Sequence, residues 1–158
     1  MLTFSTNTAQ ASSRRLLFRC GNFIPALEQA KPDRHVVALD GDSAAMMHMG
    51  AMTMVSKVSA PKFLHVVLNN GAHESVGGQP SAGHLVDFTQ IAEACGYATV
   101  GHSVTTETEL IDAIGQLKDC GKASFIDCRI HKGLSRKLPP IIFDHREAID
   151  ALIDDLNS

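Results

Sequence analysis

The stretch His35-Val36-Val37-Ala38-Leu39-Asp40-Gly41-Asp42-Ser43 decides the fold, read with its echo Phe63-Leu64-His65-Val66-Val67-Leu68-Asn69-Asn70-Gly71. Each is a short apolar run rich in Val and Leu that stops abruptly in a polar turn, acidic in the first and amide in the second. Apolar runs of this length bounded by turn residues suit buried strands. The Met- and Ala-rich segment between them suits a helix. The order is then strand, turn, helix, strand, turn. In a parallel sheet both turns emerge at the carboxyl ends of their strands, the edge where open α/β sheets bind ligands. Asp42 offers one carboxylate there, and the Asn69-Asn70 pair offers neutral amide oxygens. Such a set suits a hard cation held at low ligand charge, and Mg²⁺ fits because phosphate oxygens and water complete its coordination. A helix starting near Ser43, which is small enough to cap it, would aim backbone N–H groups and its positive dipole end at the same place, favouring a diphosphate.

The alternation continues outward from this core. Leu85, Val86, Phe88, Ile91, Ala92 and Cys95 mark a helical face over Leu85 to Cys95, stopped by Gly96. Tyr97-Ala98-Thr99-Val100 reads as a short strand, Glu107 to Cys120 as a helix ended by Gly121, Ala123 to Ile130 as a strand, and Arg146 to Leu156 as a last helix. This pattern predicts an α/β domain of three layers, with a mainly parallel sheet of about six strands covered on both faces. The domain is expected over residues 31–158, preceded by an irregular segment over residues 1–30. That segment begins rich in Ser, Thr, Asn and Ala without an acidic residue, then runs Arg14-Arg15-Leu16-Leu17-Phe18-Arg19, a composition shared with organellar transit peptides.

Composition sets the outer limits. A chain of 158 residues with 44% hydrophobic residues suits a single domain with a core. A net charge of −3 offers no polybasic surface, which argues against nucleic-acid binding. No apolar run approaches the roughly 20 residues needed to span a bilayer, which argues against a membrane protein. Cys20, Cys95, Cys120 and Cys128 show no paired CxxC spacing, so reduced thiols in a cytoplasmic protein are the expectation rather than a zinc site.

Gly-Asp-Gly, some two dozen residues and then Asn-Asn is the signature of thiamine diphosphate-dependent enzymes, and this chain resembles them through Gly41-Asp42-Ser43 and Asn69-Asn70. The wider strings Leu39 to Gly50 and Leu68-Asn69-Asn70-Gly71-Ala72-His73-Glu74-Ser75-Val76-Gly77-Gly78-Gln79-Pro80 look most like phosphonopyruvate decarboxylases, with sulfopyruvate decarboxylases a poorer match. The resemblance runs from about Ala30 to the end of the chain and covers the diphosphate-binding domain. It implies a thiamine diphosphate-binding fold, the cofactors thiamine diphosphate and Mg²⁺, and decarboxylation of a 2-oxo acid, phosphonopyruvate to phosphonoacetaldehyde. It further implies that Asp42 and Asn70 ligate Mg²⁺ through their side chains and Ala72 through its carbonyl. Gly41, Ser43, Ala44 and Met47 would complete the cofactor site. His73, following the amide turn, reads either as a residue near the thiazolium or substrate, where it would be catalytic, or as a surface residue. Ser43 stands where the family has Gly. The Gly-rich segment with a Gly-His pair expected before Ala30 is replaced by Cys20-Gly21-Asn22-Phe23-Ile24-Pro25. The family's activating glutamate lies on a separate pyrimidine-binding domain, so the resemblance implies a partner chain or domain and a homo- or hetero-oligomer.

Other residues invite competing readings. A Met-rich helical stripe is usually core, and Met46, Met47, Met49, Met52 and Met54 around His48 fit that as well as they fit a cofactor wall. His73-Glu74-Ser75 are too close in sequence to converge as a catalytic triad. Gly77-Gly78-Gln79-Pro80 reads as a loop, Asp40 as a turn residue or a second cation ligand, and Lys132, Arg136 and Lys137 as a solvated basic loop or a phosphonate contact. Three function classes remain: a decarboxylase half-site, a cofactor-binding relic without catalysis, and an unrelated flavodoxin-like binding domain.

Overall fold

The structure, a computed structural model, describes residues 16–18 and 34–133 together with helical positions 146–147, 150–151 and 153–154. The chain forms β1 (Leu16–Phe18), β2 (Val36–Gly41), α1 (Asp42–Met47), a 3-10 segment (Met49–Lys57), β3 (Phe63–Asn69) and the short strands β4 (Ala72–His73) and β5 (Gln79–Pro80). Helices α2 (Phe88–Ala94) and α3 (Glu107–Leu117) and strand β6 (Ser124–Arg129) follow. The main sheet has the order β1-β2-β3-β6, and every pair in it is parallel. Both faces are covered, as continuous apolar strands require.

Alternation along the strands builds two cores. Val36, Ala38, Phe63, Val67 and Phe125 point to one face, where Ala45, Met52, Val55, Phe88 and Ala92 from α1, the 3-10 segment and α2 pack on them. Leu64, Val66, Ile126 and Cys128 point to the other, against Ala113 and Leu117 of α3. Phe63, Phe88 and Phe125 are fully buried, and burying a side chain of this size contributes about 1.5–3 kcal/mol. This is the three-layer α/β arrangement read from the sequence.

Several boundaries differ from the sequence reading, each for a local reason. The Met/Ala segment is not one helix: α1 ends after six residues and the chain tightens into 3-10 geometry. Gly50 and the β-branched Thr53 and Val55 weaken an α-helix there, and the Thr53 hydroxyl donates to the Gly50 carbonyl at 2.7 Å. α2 starts at Phe88 rather than Leu85, because the Asp87 side chain accepts from Gln90 N–H and caps it. Leu85 is left 89% exposed. Tyr97–Val100 does not form a full strand. Ala98 and Val104 each bridge in parallel to β6, at Ser124 and Cys128, so the intervening segment carries extra residues and bulges out of the ladder. Gln79-Pro80 is not only loop, since it pairs antiparallel with Ala72-His73. Residues 16–18, within the segment expected to be irregular, pair with Val36–Ala38 at the sheet edge. The rest of residues 1–30, including Cys20, lies outside the described residues, as do Arg136, Lys137 and much of the expected last helix. No helix among the described residues is long and apolar enough to cross a membrane.

Candidate functional site

The register of the sheet brings the two turns together. Gly41 pairs with Leu68 across β2 and β3, so Asp42 and the Asn69-Asn70 pair leave the sheet side by side. On the α1 face the carboxyl ends of β2, β3 and β6 carry Asp40, Asn69 and Asp127. Asp42 opens α1 and is 2% exposed, and its carboxylate accepts from the Ser81 hydroxyl. Asn69 is fully buried. Its amide Nδ2 donates to the Gly83 carbonyl at 2.8 Å and to Asp127 Oδ1 at 3.2 Å, while its Oδ1 has no hydrogen-bond partner. Asp127 is held in turn by the Ser103 hydroxyl at 2.5 Å. Residues 81–83 therefore strap the two turns together. A Cβ on Gly83 would lie 2.2 Å from Asp42 Oδ2 and 2.5 Å from Asn69 Oδ1, so only glycine permits this approach.

A cleft of about 600 Å³ opens beside α1. Gly41, Ser43, Ala44, Met47 and His73 line it, together with Asp40 and with His65 and Tyr97, the last two not assigned to the site by sequence reasoning. Gly41 has an ordinary extended conformation, and a Cβ there would meet nothing within 4 Å. What its missing side chain preserves is open space at the cleft wall, where a ligand can approach the backbone. Met47 is 72% exposed, so the core reading of the Met stripe holds for Met52 but not for Met47. Ser43 does not cap α1. The helix begins one residue earlier, Gly41 holds the N-cap position without a side-chain bond, and the Ser43 hydroxyl is buried without a partner. Asp40 is no turn residue: it ends the buried face of β2 and its carboxylate binds His65 Nε2 at 3.0 Å. The His65 ring is enclosed by Phe63, Tyr97 and Phe125. Burial, reinforced by electrostatic repulsion from the nearby Cys95 and Asp40 side chains, raises the Tyr97 phenol well above its usual range, keeping it neutral.

Asn70 and Ala72 lie outside the cleft lining, on the turn after β3 and at the start of β4. Asn70 Oδ1 accepts from Ala72 N–H at 3.0 Å and its Nδ2 donates to Glu74 Oε2 at 3.0 Å. Ala72 is buried, whereas His73 is half-buried at the cleft. Among the described residues no three His, Cys, Asp or Glu side chains cluster as a metal cage. A cation at this edge would draw on one carboxylate, an amide oxygen, a carbonyl and oxygens of its own ligand, a hard, low-charge set that fits Mg²⁺ bound to a diphosphate. The open space at Gly41 and the unpartnered Ser43 hydroxyl fit the same ligand.

The family described as thiamine pyrophosphate enzyme, C-terminal TPP binding domain, matches residues 17–128. The chain belongs to this family. Membership in the TPP binding domain family agrees with the sheet-edge position of the turns. The chain is 40% identical over 81 residues to phosphonopyruvate decarboxylase of Streptomyces viridochromogenes, covering 51% of this chain and 20% of that protein. It is 34% identical over 79 residues to sulfopyruvate decarboxylase subunit beta of Methanococcus maripaludis, covering 50% of this chain and 42% of that one. The matched stretch thus spans less than half the length of these relatives. Among solved structures, the thiamine diphosphate-dependent 4-hydroxybenzoylformate decarboxylase of Rhodococcus jostii RHA1 superposes with a TM-score of 0.55 at 21% identity, covering 68% of this chain and 22% of that chain. That likeness concerns the fold of the TPP binding domain.

Proposed function

We propose that the chain supplies the diphosphate-binding half of a thiamine diphosphate- and Mg²⁺-dependent decarboxylase whose substrate is a 2-oxo acid, phosphonopyruvate, and whose product is phosphonoacetaldehyde. The observation that carries the reading is the placement of a buried carboxylate, Asp42, beside the Asn69-Asn70 turn at the carboxyl edge of a parallel sheet and next to an open cleft. Family membership and the likeness to phosphonopyruvate decarboxylase support it.

When bound, thiamine diphosphate supplies the electron sink that lets a 2-oxo acid lose CO₂. The residues of this chain bind and orient. Asp42 and Asn70 side chains and the Ala72 carbonyl would hold Mg²⁺, and the N–H groups of Ser43 and Ala44 would meet the diphosphate. Met47 would pack along the cofactor with its flexible thioether. His73, half-buried at the cleft, would hold or donate a proton at the reacting carbon. The Asp40–His65 pair and the neutral Tyr97 floor the cleft with fixed polar groups, which cost no reorganisation on binding.

The pyrimidine-binding half comes from a partner chain or another domain, and the working enzyme is an oligomer. The relatives exceed the matched stretch in length, and the sulfopyruvate relative is itself described as a subunit beta. That description favours sulfopyruvate as the second reading. The test is CO₂ and aldehyde release with phosphonopyruvate, sulfopyruvate and pyruvate side by side, using the purified chain alone and with its partner half. We expect negligible turnover alone and restoration by the partner. Robust turnover by the chain alone contradicts the half-site, and a preference for pyruvate contradicts the substrate.

A further inference from the structure

Glu74 sits just after β4, and its Oε2 accepts two hydrogen bonds: from Asn70 Nδ2 at 3.0 Å and from the backbone N–H of Gly133 at 2.9 Å. Gly133 lies beyond β6, so the carboxylate is anchored by a segment remote from the turn it touches. The neighbouring Lys132 ammonium donates to the Gly78 carbonyl, a second tie between the same two segments. Meanwhile Asn70 Oδ1 accepts from Ala72 N–H at 3.0 Å. An amide has one donor end and one acceptor end, and an ionised carboxylate only accepts. The Glu74 contact therefore admits only one orientation of the Asn70 amide, with Nδ2 toward Glu74 and Oδ1 toward Ala72. Only Oδ1 can bind a cation. Reversing the amide would place two acceptors against each other at Glu74 and two donors at Ala72.

We propose that Glu74 is a positioning residue for the cation site: held by Gly133, it locks the Asn70 amide in the orientation that presents Oδ1 to Mg²⁺. The proposal rests on the reading of Asn70 as a ligand. Outer partners that orient a metal ligand are costly to lose although they never touch the ion.

The test uses the full chain with thiamine diphosphate and Mn²⁺ as the probe, free Mn²⁺ being read from its paramagnetic resonance signal and folding from circular dichroism. Glu74→Ala should weaken Mn²⁺ binding about ten-fold. Glu74→Gln, whose side-chain oxygen still accepts from Asn70, should stay close to wild type. The decisive arm places Glu74→Ala in an Asn70→Asp background. A carboxylate at position 70 presents oxygen in either orientation and meets Glu74 as a like charge, so removing Glu74 should then cause no loss of binding. Equal losses in both backgrounds would mean that Glu74 merely orders the loop, and would overturn the proposal. So would unchanged binding in Glu74→Ala. Asn70→Ala is measured in parallel. If it leaves Mn²⁺ affinity unchanged, or if the wild-type chain takes up no Mn²⁺, the ligand reading itself fails. If Asn70→Ala binds weakly and Glu74→Ala binds normally, only the positioning role fails.

Discussion

Gly83 shows how little room the site leaves at the scale of single residues. A Cβ there would run into the Asp42 carboxylate and Asn69 Oδ1, both of them buried. Gly83→Ala should destabilise the fold by about 1–3 kcal/mol, the usual cost of overpacking a closed site. It should also lower cation affinity, because Asp42 must shift. Urea unfolding and a Mg²⁺ titration of the same variant check both effects, and a variant of native stability would mean that the 81–83 strap yields freely. Cys128 makes a second residue-scale prediction. Burial, with the Asp127 charge adding to it, pushes its thiol up from 9.0 to about 11. Above pH 9 the unfolded chain releases this proton while the folded chain keeps it, so the folded state binds more protons and stability falls as pH rises. The contribution is intact below pH 9 and lost progressively towards pH 11. Unfolding free energies across that window should fall less steeply for Cys128→Ala than for wild type. Identical slopes would show that another group governs the loss.

Among the elements, α3 is the one whose start is fixed most completely by local chemistry. The Thr106 side chain accepts from Glu109 N–H, and the Glu109 carboxylate accepts from Thr106 N–H in return, a reciprocal capping box. The same carboxylate accepts from Thr105 N–H and hydroxyl, which hold its pKa below the usual carboxylate value. Thr106→Ala should cost about 1 kcal/mol, read as a lower urea midpoint with an unchanged slope; an unchanged midpoint would show that packing of Ala113 and Leu117 alone holds the helix. Elements like α3 were legible in the sequence because cap, period and stop lie within a few residues of one another. The strands β2, β3 and β6 were legible as short, mostly apolar runs: Val36 to Leu39, Phe63 to Leu68 around His65, and Phe125-Ile126 with Cys128. The 3-10 segment, the bulged track from Ala98 to Val104 and the β4–β5 pair were not, since each depends on neighbours supplied by the fold. The site divides along the same line. Gly41, Asp42, Asn70 and His73 stand in two short strings that announce themselves. Ser81, Gly83 and Asp127 reach Asp42 and Asn69 from 14 to 58 residues away. Nothing in the local sequence around Ser81-Ala82-Gly83 marks it as a strap. The Asp40–His65 pair was hidden for a related reason: register across β2 and β3, rather than spacing along either strand, brings the two side chains together.

At the scale of the whole molecule, a parallel sheet concentrates the polar residues of its strand ends at one edge and leaves the apolar strands to build two cores. Chemistry and stability are thereby separated in space. Variants of groups facing the cleft should change binding more than folding, variants in the cores the reverse, and variants of the buried strap, such as Gly83→Ala, both. The proposed function stands on thiamine diphosphate binding at this edge through a cation held by Asp42. Calorimetric titration of the chain with thiamine diphosphate, with and without Mg²⁺, measures it directly, with Asp42→Ala beside wild type. Wild type should give saturable, Mg²⁺-dependent heat and Asp42→Ala none, with both proteins giving the same circular dichroism. Equal affinity in the two proteins, or binding by wild type that ignores Mg²⁺, would contradict it.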